Sequence, residues 1–328
     1  MGFRGDWKAT GQIFNLKRHY NTDKARYFDK TVSNNSWFTF KTLKVCWLCD
    51  ASKGDDMRMC LTHVEPSAAW WETMYRTPPW EITPSYAQLR GFHQGMMMPD
   101  MLHVWSLGVA RDLIGSSLKV ILQVQDVFDG GTIKARLKQA SESLRSFARR
   151  RKYHLRIRKL TKSKLTWKTR KYPELCCSGY DSFVVGSWLE EILQPHSEKF
   201  PEITSMLWAS NKAVSLMYAG IFFLTPGEKS SLEMLGFFFL KLYIRMANKA
   251  ISEHKLLFRV RPKLHMLNHC FFSPRRANPA AYSTWMDEDY LKKMGKVLNV
   301  VNYKTAPKRV LQRWALSLPG HLKVTLGD

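Results

Sequence analysis

The chain has 328 residues and carries 51 Lys and Arg against 27 Asp and Glu, a net charge of +24, which points to a polyanionic partner: DNA, RNA or an anionic membrane surface. An apolar fraction of 45% with 13% aromatics excludes wholesale disorder and suffices for one large core or two smaller ones. No secretory signal is read in residues 1–30. The most apolar stretch, Ala213 to Tyr243, is broken by Pro226-Gly227-Glu228-Lys229 and Glu233, so it reads as two core helices and not as a membrane span.

Along the chain, Trp37-Phe38-Thr39-Phe40-Lys41-Thr42-Leu43 has the aromatic and β-branched content of a strand. Residues 46–98 mix Cys, Trp and Pro (Pro66, Pro78, Pro79, Pro84) without periodicity, the mark of an extended, packed or metal-pinned loop region. From Leu102, apolar residues recur at three- and four-residue steps up to Gly130-Gly131, which predicts a helix. A second helix is predicted over Thr132–Phe147 with Thr132 as N-cap, followed by a basic segment, Arg145–Lys171. Further helices are predicted at Tyr180–Leu193, Ile203–Phe223, Pro226–Glu253 and Lys263–Phe271, then near Met286–Val301 and at Pro307–Leu316. The expected class is mainly α with a small α+β part, divided into 1–45, 46–103, 104–260 and 261–328.

Cys46-Trp47-Leu48-Cys49 followed by Cys60-Leu61-Thr62-His63 is a CxxC…CxxH array. Two-residue gaps let paired ligands bite one ion, so a tetrahedral Zn²⁺ site is expected from Cys46, Cys49, Cys60 and His63. His103, or His265 and His269, are the alternatives to Cys60 and His63. Six cysteines in an intracellular-looking chain favour thiols or metal ligands over disulfides. Asp100-x-x-His103 sits where a loop becomes a helix, and Asp100 also reads as a plain N-cap. His265 and His269, at i and i+4, can chelate a metal or serve as packing residues. Asp287-Glu288-Asp289 reads either as a metal-binding cluster or as a favourable negative first helical turn.

Arg145–Lys171 holds thirteen Lys and Arg and no Asp or Glu, interleaved with Phe147, Tyr153, Trp167 and Tyr172. Such a run neutralises phosphates while its aromatics stack on bases or pack underneath. Arg149, Arg150, Arg151, Arg156, Arg158, Lys159, Lys162 and Lys164 are the expected nucleic-acid contacts. Lys304, Lys308, Arg309 and Arg313 form a smaller basic cluster on the last helix.

Read in order, the landmarks resemble the later part of a DDE-type transposase of the CACTA/Plavaka kind, and a transposase-related family abundant in dinoflagellates. The resemblance rests on Gly5-Asp6-Trp7, Cys46/Cys49, the run from Asp100 through His103 to Leu107-Gly108-Val109, Pro262-Lys263-Leu264-His265 with His269, and Asp287-Glu288-Asp289. It implies a partial RNase H-like core interrupted by a large helical insertion, roughly residues 104–260. It further implies an ancestral Mg²⁺-dependent cleavage and transfer of DNA strands. Asp6 would be the second catalytic carboxylate and Glu288 the third, with Asp287 and Asp289 as its alternatives. Asp100 and His103 would be a structural element beside the site, together with His265 and His269. The first catalytic Asp of the family would lie upstream of Asp6, so the chain reads as the C-terminal part of something longer, inactive as given. The partner is DNA, or RNA, without a membrane, and the location nuclear. The alternative is a non-catalytic nucleic-acid-binding helical module.

Overall fold

Helices that carry their own start signals supply most of the chain's order. The computed structural model describes residues 3–5, 45–53, 58–80, 82–273, 277–302, 304–305 and 308–313. Contacts divide the chain into two units, Met1–Ser283 and Thr284–Asp328.

In the first unit, strand β1 (Phe3–Gly5) pairs in parallel with β2 (Met97–Pro99), and Gly5 stands opposite Pro99, the residue before Asp100. Among the described residues this pair and two isolated bridges are all the strand structure. The strand expected at Trp37–Leu43 lies outside the described residues. After β2 the chain enters α1 (Leu102–Val109), a π-helical stretch that runs into α2 (Ala110–Gln123). Gly108 interrupts it at φ −127°, ψ −105°. A Cβ there would stand 2.7 Å from Lys263 Cδ and 2.8 Å from the His103 carbonyl oxygen, so only glycine lets α1 approach the Lys263 side chain this closely.

The chain leaves α2 at Val124, earlier than the apolar pattern predicts, because the next residues pack sideways. Asp126 pairs with Lys199 at 2.5 Å and Phe128 stacks on Trp188 with ring centroids 6.4 Å apart. Helix α3 (Ile133–Arg150) is capped by Thr132, whose hydroxyl accepts from Ala135 N at 3.2 Å. Ser178 does the same for α4 (Gly179–Leu193), and Pro201 opens α5 (Pro201–Ala219). Helix α6 (Pro226–Ser252) begins with a full capping box between Thr225 and Glu228, with Pro226 in its first turn. Helix α7 (Pro262–Phe271) starts in the same way on a proline.

One continuous apolar core runs from Val45 to Phe271, so segments 46–103, 104–260 and the start of 261–328 share an interior. A buried charge network ties its distant parts. Arg261 forks onto Asp112 with both contacts at 2.5 Å and reaches Glu174 at 3.2 Å. Burial raises the pKa of Asp112 and works against the charge of Arg261. The bidentate geometry favours the ion pair, and Asp112 and Glu174 hold Arg261 above its ordinary pKa. No described helix is long and apolar enough to cross a membrane. The second unit contains α8 (Trp285–Leu298) and a helical turn at 308–313.

Candidate metal centre

Cys46 and Cys49 occupy a tight turn whose geometry follows from their two-residue spacing. Leu48 N donates to Cys46 Sγ at 3.2 Å and Ala51 N to Cys49 Sγ at 3.5 Å, so each sulfur receives a backbone N–H from two residues on. Such donors favour the thiolate form. Trp47 fixes the turn against β2 by donating its indole N–H to the Met97 carbonyl at 3.0 Å, and Gln94 donates to the Trp47 carbonyl.

His265 and His269 reach the same place from α7, where one helical turn sets both rings on a single face. Cys46 Sγ lies 3.3 Å from His269 Nε2. Cys49 Sγ lies 3.3 Å from His265 Nε2 and 3.5 Å from His269 Nε2, and the two Nε2 atoms are 2.9 Å apart. All four ligand atoms fall within 4.8 Å of one another, and all four residues are buried. A tetrahedral ion bonded at about 2.3 Å to sulfur and about 2.0–2.1 Å to nitrogen has ligand–ligand edges of about 3.3–3.8 Å. The cluster therefore can hold a metal ion after small outward shifts of its side chains.

The electrostatics suit that use. Burial by itself raises the Cys46 thiol pKa, but its hydrogen bond with Cys49 and the two imidazoles outweigh this and hold it well below the usual thiol range. Burial, then the neighbouring His269, lowers His265. A thiolate beside a His265 imidazole whose pKa is lowered is the donor state that metals require. The outer layer is aromatic. Trp70 packs edge-on against His265 and His269 with centroids 4.5 and 5.2 Å away, and Trp71 meets His269 at 5.3 Å. Neither Nδ1 has a hydrogen-bond partner among the described residues.

The residues the fold brings to Cys46 and Cys49 are thus His265 and His269, and not Cys60 and His63. Cys60 is buried, but its sulfur contacts the Thr62 hydroxyl at 3.0 Å, and His63 faces Glu65 at 3.6 Å. The i, i+4 histidine spacing was the sequence signal for the actual pair. Nothing in the sequence pattern pointed to Trp70 and Trp71 as its packing shell.

Other sequence landmarks pack on α7, the helix that carries His265 and His269. Asp100 caps its helix, with Oδ1 accepting from Leu102 N at 3.0 Å, and its Oδ2 holds His103 Nδ1 at 2.5 Å. The Lys263 chain packs on Gly108 and its ammonium donates to the Leu107 carbonyl at 3.4 Å. Of the expected catalytic acids, Asp6 and the side chains of Asp287 and Glu288 lie outside the described residues. Asp289, on α8, is exposed and pairs with Lys292 at 3.4 Å.

The basic segment lies on the surface, and all thirteen of its Lys and Arg are exposed. It starts in the last turn of α3 and continues as an irregular chain pinned inward by Ile157, Leu160, Leu165 and Leu175. Backbone bonds from Arg156 N to Asp181 and from Leu160 N to the Ser141 hydroxyl, both 2.9 Å, fix its course. Among the described residues only Arg150 and Arg151 have an acidic partner there, and they share Glu191. The aromatics pack beneath the cations. Phe147 is buried and meets Tyr153 at 6.0 Å, and Lys162 sits 5.8 Å from the Trp167 ring. Compared with protein-family models, curated proteins and solved structures, the chain matches none.

Proposed function

We propose that this is a DNA-binding protein of transposase ancestry whose core is closed by a structural Zn²⁺ ion. The observation that carries the reading is convergence. CxxC, Asp-x-x-His with its Leu-Gly-Val continuation, and Pro-Lys-x-His-x-x-x-His are scattered from Cys46 to His269, yet they pack as one neighbourhood. Unrelated motifs matched by chance have no reason to meet in space. The set is therefore better explained as the inherited heart of one fold.

Zinc is the favoured ion because two thiolates and two imidazoles suit its borderline softness and its tetrahedral geometry. Four buried protein donors leave no position for a substrate, so the ion's role is to hold the 45–53 segment against α7. DNA, a nuclear partner, is favoured by the net charge and by thirteen exposed cations on one segment. The strand-cleaving chemistry of the resembled transposases would need Mg²⁺ held by Asp6 and an acid from 287–289. The reading here is confined to binding.

Two measurements test it together. Elemental analysis of purified protein should find one zinc per chain, absent from Cys46→Ser. Fluorescence anisotropy with a labelled 20-bp duplex should show affinity that falls steeply with salt, at a slope expected near −0.9 per neutralised phosphate. Binding that ignores salt, or protein that carries no zinc, would remove the corresponding half of the proposal.

A further inference from the structure

The hairpin of α5 and α6 exposes apolar side chains that a solvated surface has no use for. Trp208, Ile221, Phe222, Phe223, Met234 and Phe238 are 42–79% exposed. Single exposed apolar residues are ordinary, but a cluster of this kind on one supersecondary unit marks an interaction site. Trp208 and Phe238 meet edge-on at 6.5 Å across the two helices. Met234 lies one turn before Phe238 on the same face of α6.

The tip is held in place. Buried Asn278 donates its amide to the Met217 and Ile221 carbonyls at 2.7 and 2.9 Å, and its backbone N–H donates to the Phe222 carbonyl at 2.9 Å. Phe223 bridges to Ala277. Backbone fixed on this scale keeps Ile221 and Phe222 presented to solvent, so a partner meets a surface ordered in advance.

Charge selects the partner. Between Trp208 and Arg245 the carboxylates are Glu228 and Glu233 alone. Glu228 is engaged in the capping box and Glu233 pairs with Lys229 at 3.0 Å. Lys212 follows Trp208 by one turn, and Lys241 and Arg245 follow Phe238 by one and two turns. All three are exposed, with no acidic partner among the described residues. The face is thus apolar, bordered by cations and without a spare anion. A second copy of a chain at +24 would bring more positive charge to it. A single nucleic-acid strand could stack bases on Trp208, Phe222, Phe223 and Phe238, but it would leave the exposed Ile221 and Met234 side chains uncovered, which an apolar helix face covers.

We infer that the α5–α6 hairpin is a docking face for an acidic amphipathic helix of a partner protein, independent of the basic segment and of DNA. Apolar residues of that helix, spaced i, i+3, i+4 and i+7, would cover Trp208, Met234, Phe238 and the tip, and its carboxylates would meet Lys212, Lys241 and Arg245.

The test uses the full chain as bait for a displayed library of random 16-residue peptides. Selection is run at 0.3 M salt and counter-selected against a Phe222→Ser/Met234→Ser variant. Both positions are exposed, so this variant should keep the wild-type melting curve. Peptides that distinguish the two proteins should be acidic and helically amphipathic, and should lose at least tenfold in affinity against Lys212→Glu/Lys241→Glu. The inference is overturned if no peptide distinguishes them, or if those that do show no acidic bias. It is equally overturned if the wild type sediments as a dimer that the serine variant abolishes, or if dT20 binding is lost with that variant.

Discussion

At the scale of single residues, Cys46 and Cys60 are both buried thiols on the same short stretch, yet they have different work. Cys46 faces two imidazoles, and Cys60 faces a threonine hydroxyl. With zinc bound, Cys46→Ser removes a donor from a closed tetrad whose binding energy is also folding energy. That loss is comparable with the whole stability of a domain, about 5–15 kcal/mol. We expect Cys46→Ser to lose cooperative thermal unfolding and Cys60→Ser to cost only about 1 kcal/mol. Differential scanning calorimetry separates them, and equal losses would return Cys60 to the ligand set. Thiol labelling adds a second check. Burial pushes Cys177 up to about 11 and raises Cys270 further still, so a chelator at neutral pH should add two reactive thiols, Cys46 and Cys49. The CxxC half of this site was legible because both ligands share one turn. The partners were legible only as an alternative to Cys60 and His63, since His265 and His269 lie 216 and 223 residues from the cysteines they meet. Proximity along the chain favoured Cys60 and His63, whereas the folded core overrides proximity once helix α7 has packed.

At the scale of elements, several helix starts carry a side-chain signal that the ends of α3 and α6 lack, while the predicted ends of α4 at Leu193 and α7 at Phe271 match those observed. Thr132, Ser178 and the Thr225–Glu228 box begin their helices by accepting backbone N–H groups through side chains whose identity is visible in any sequence. The ends of α3 and α6 use the left-handed turn that usually announces itself as glycine. Here Lys152 (φ 58°) and His254 (φ 53°) take that conformation instead. The closing bonds from Tyr153 N to the Ala148 carbonyl at 2.8 Å and from Lys255 N to the Ala250 carbonyl at 2.7 Å are those of the Schellman turn. The predicted end of α3 at Phe147 therefore fell short of the observed Arg150. For α6, Thr225→Ala should cost about 1 kcal/mol, a fall of about 2–4 °C in Tm. The capping box also sets a pH dependence. Hydrogen bonds from Thr225 hold the Glu228 carboxyl below its usual 4.5. Its contribution is thus full above that value and is lost as pH falls through the depressed pKa. Glu228→Gln should flatten that part of the acid-unfolding curve, and an unchanged curve would count against the box. Packing between elements gives a sharper case. A Cβ on Gly236 would stand 2.4 Å from the Phe271 ring, so Gly236→Ala should lower stability by about 1–3 kcal/mol. Intrinsic helix propensity alone predicts the opposite sign, a gain of about 1 kcal/mol.

At the scale of the whole molecule, positive charge is not spread evenly: thirteen of the 51 Lys and Arg lie on Arg145–Lys171, most of which is irregular backbone. Ordered irregular backbone is costly to hold. Buried Leu160, Leu165 and Leu175 anchor it from below, and Glu174 is tied to Arg261. The outward side chains are thereby free to be cationic without loosening the core. This organisation separates two kinds of cation. Arg150 and Arg151 already share Glu191, so a phosphate that takes them must first displace a carboxylate. Arg156, Arg158, Lys159, Lys162 and Lys164 have no acidic partner among the described residues. If DNA lies on this surface, replacing those five with Gln should reduce the magnitude of the log K against log salt slope by up to about 4.5, at roughly 0.9 per lost phosphate contact. Replacing Arg150 and Arg151 alone should change it by less than about 2, because the freed Glu191 adds repulsion to affinity more than it alters counterion release. Anisotropy titrations from 50 to 300 mM salt read both slopes, and circular dichroism should show all variants folded. An unaltered slope in the five-fold variant would move the DNA surface away from the basic segment. The zinc centre would be untouched by that outcome, since its buried donors share no side chain with the exposed cations.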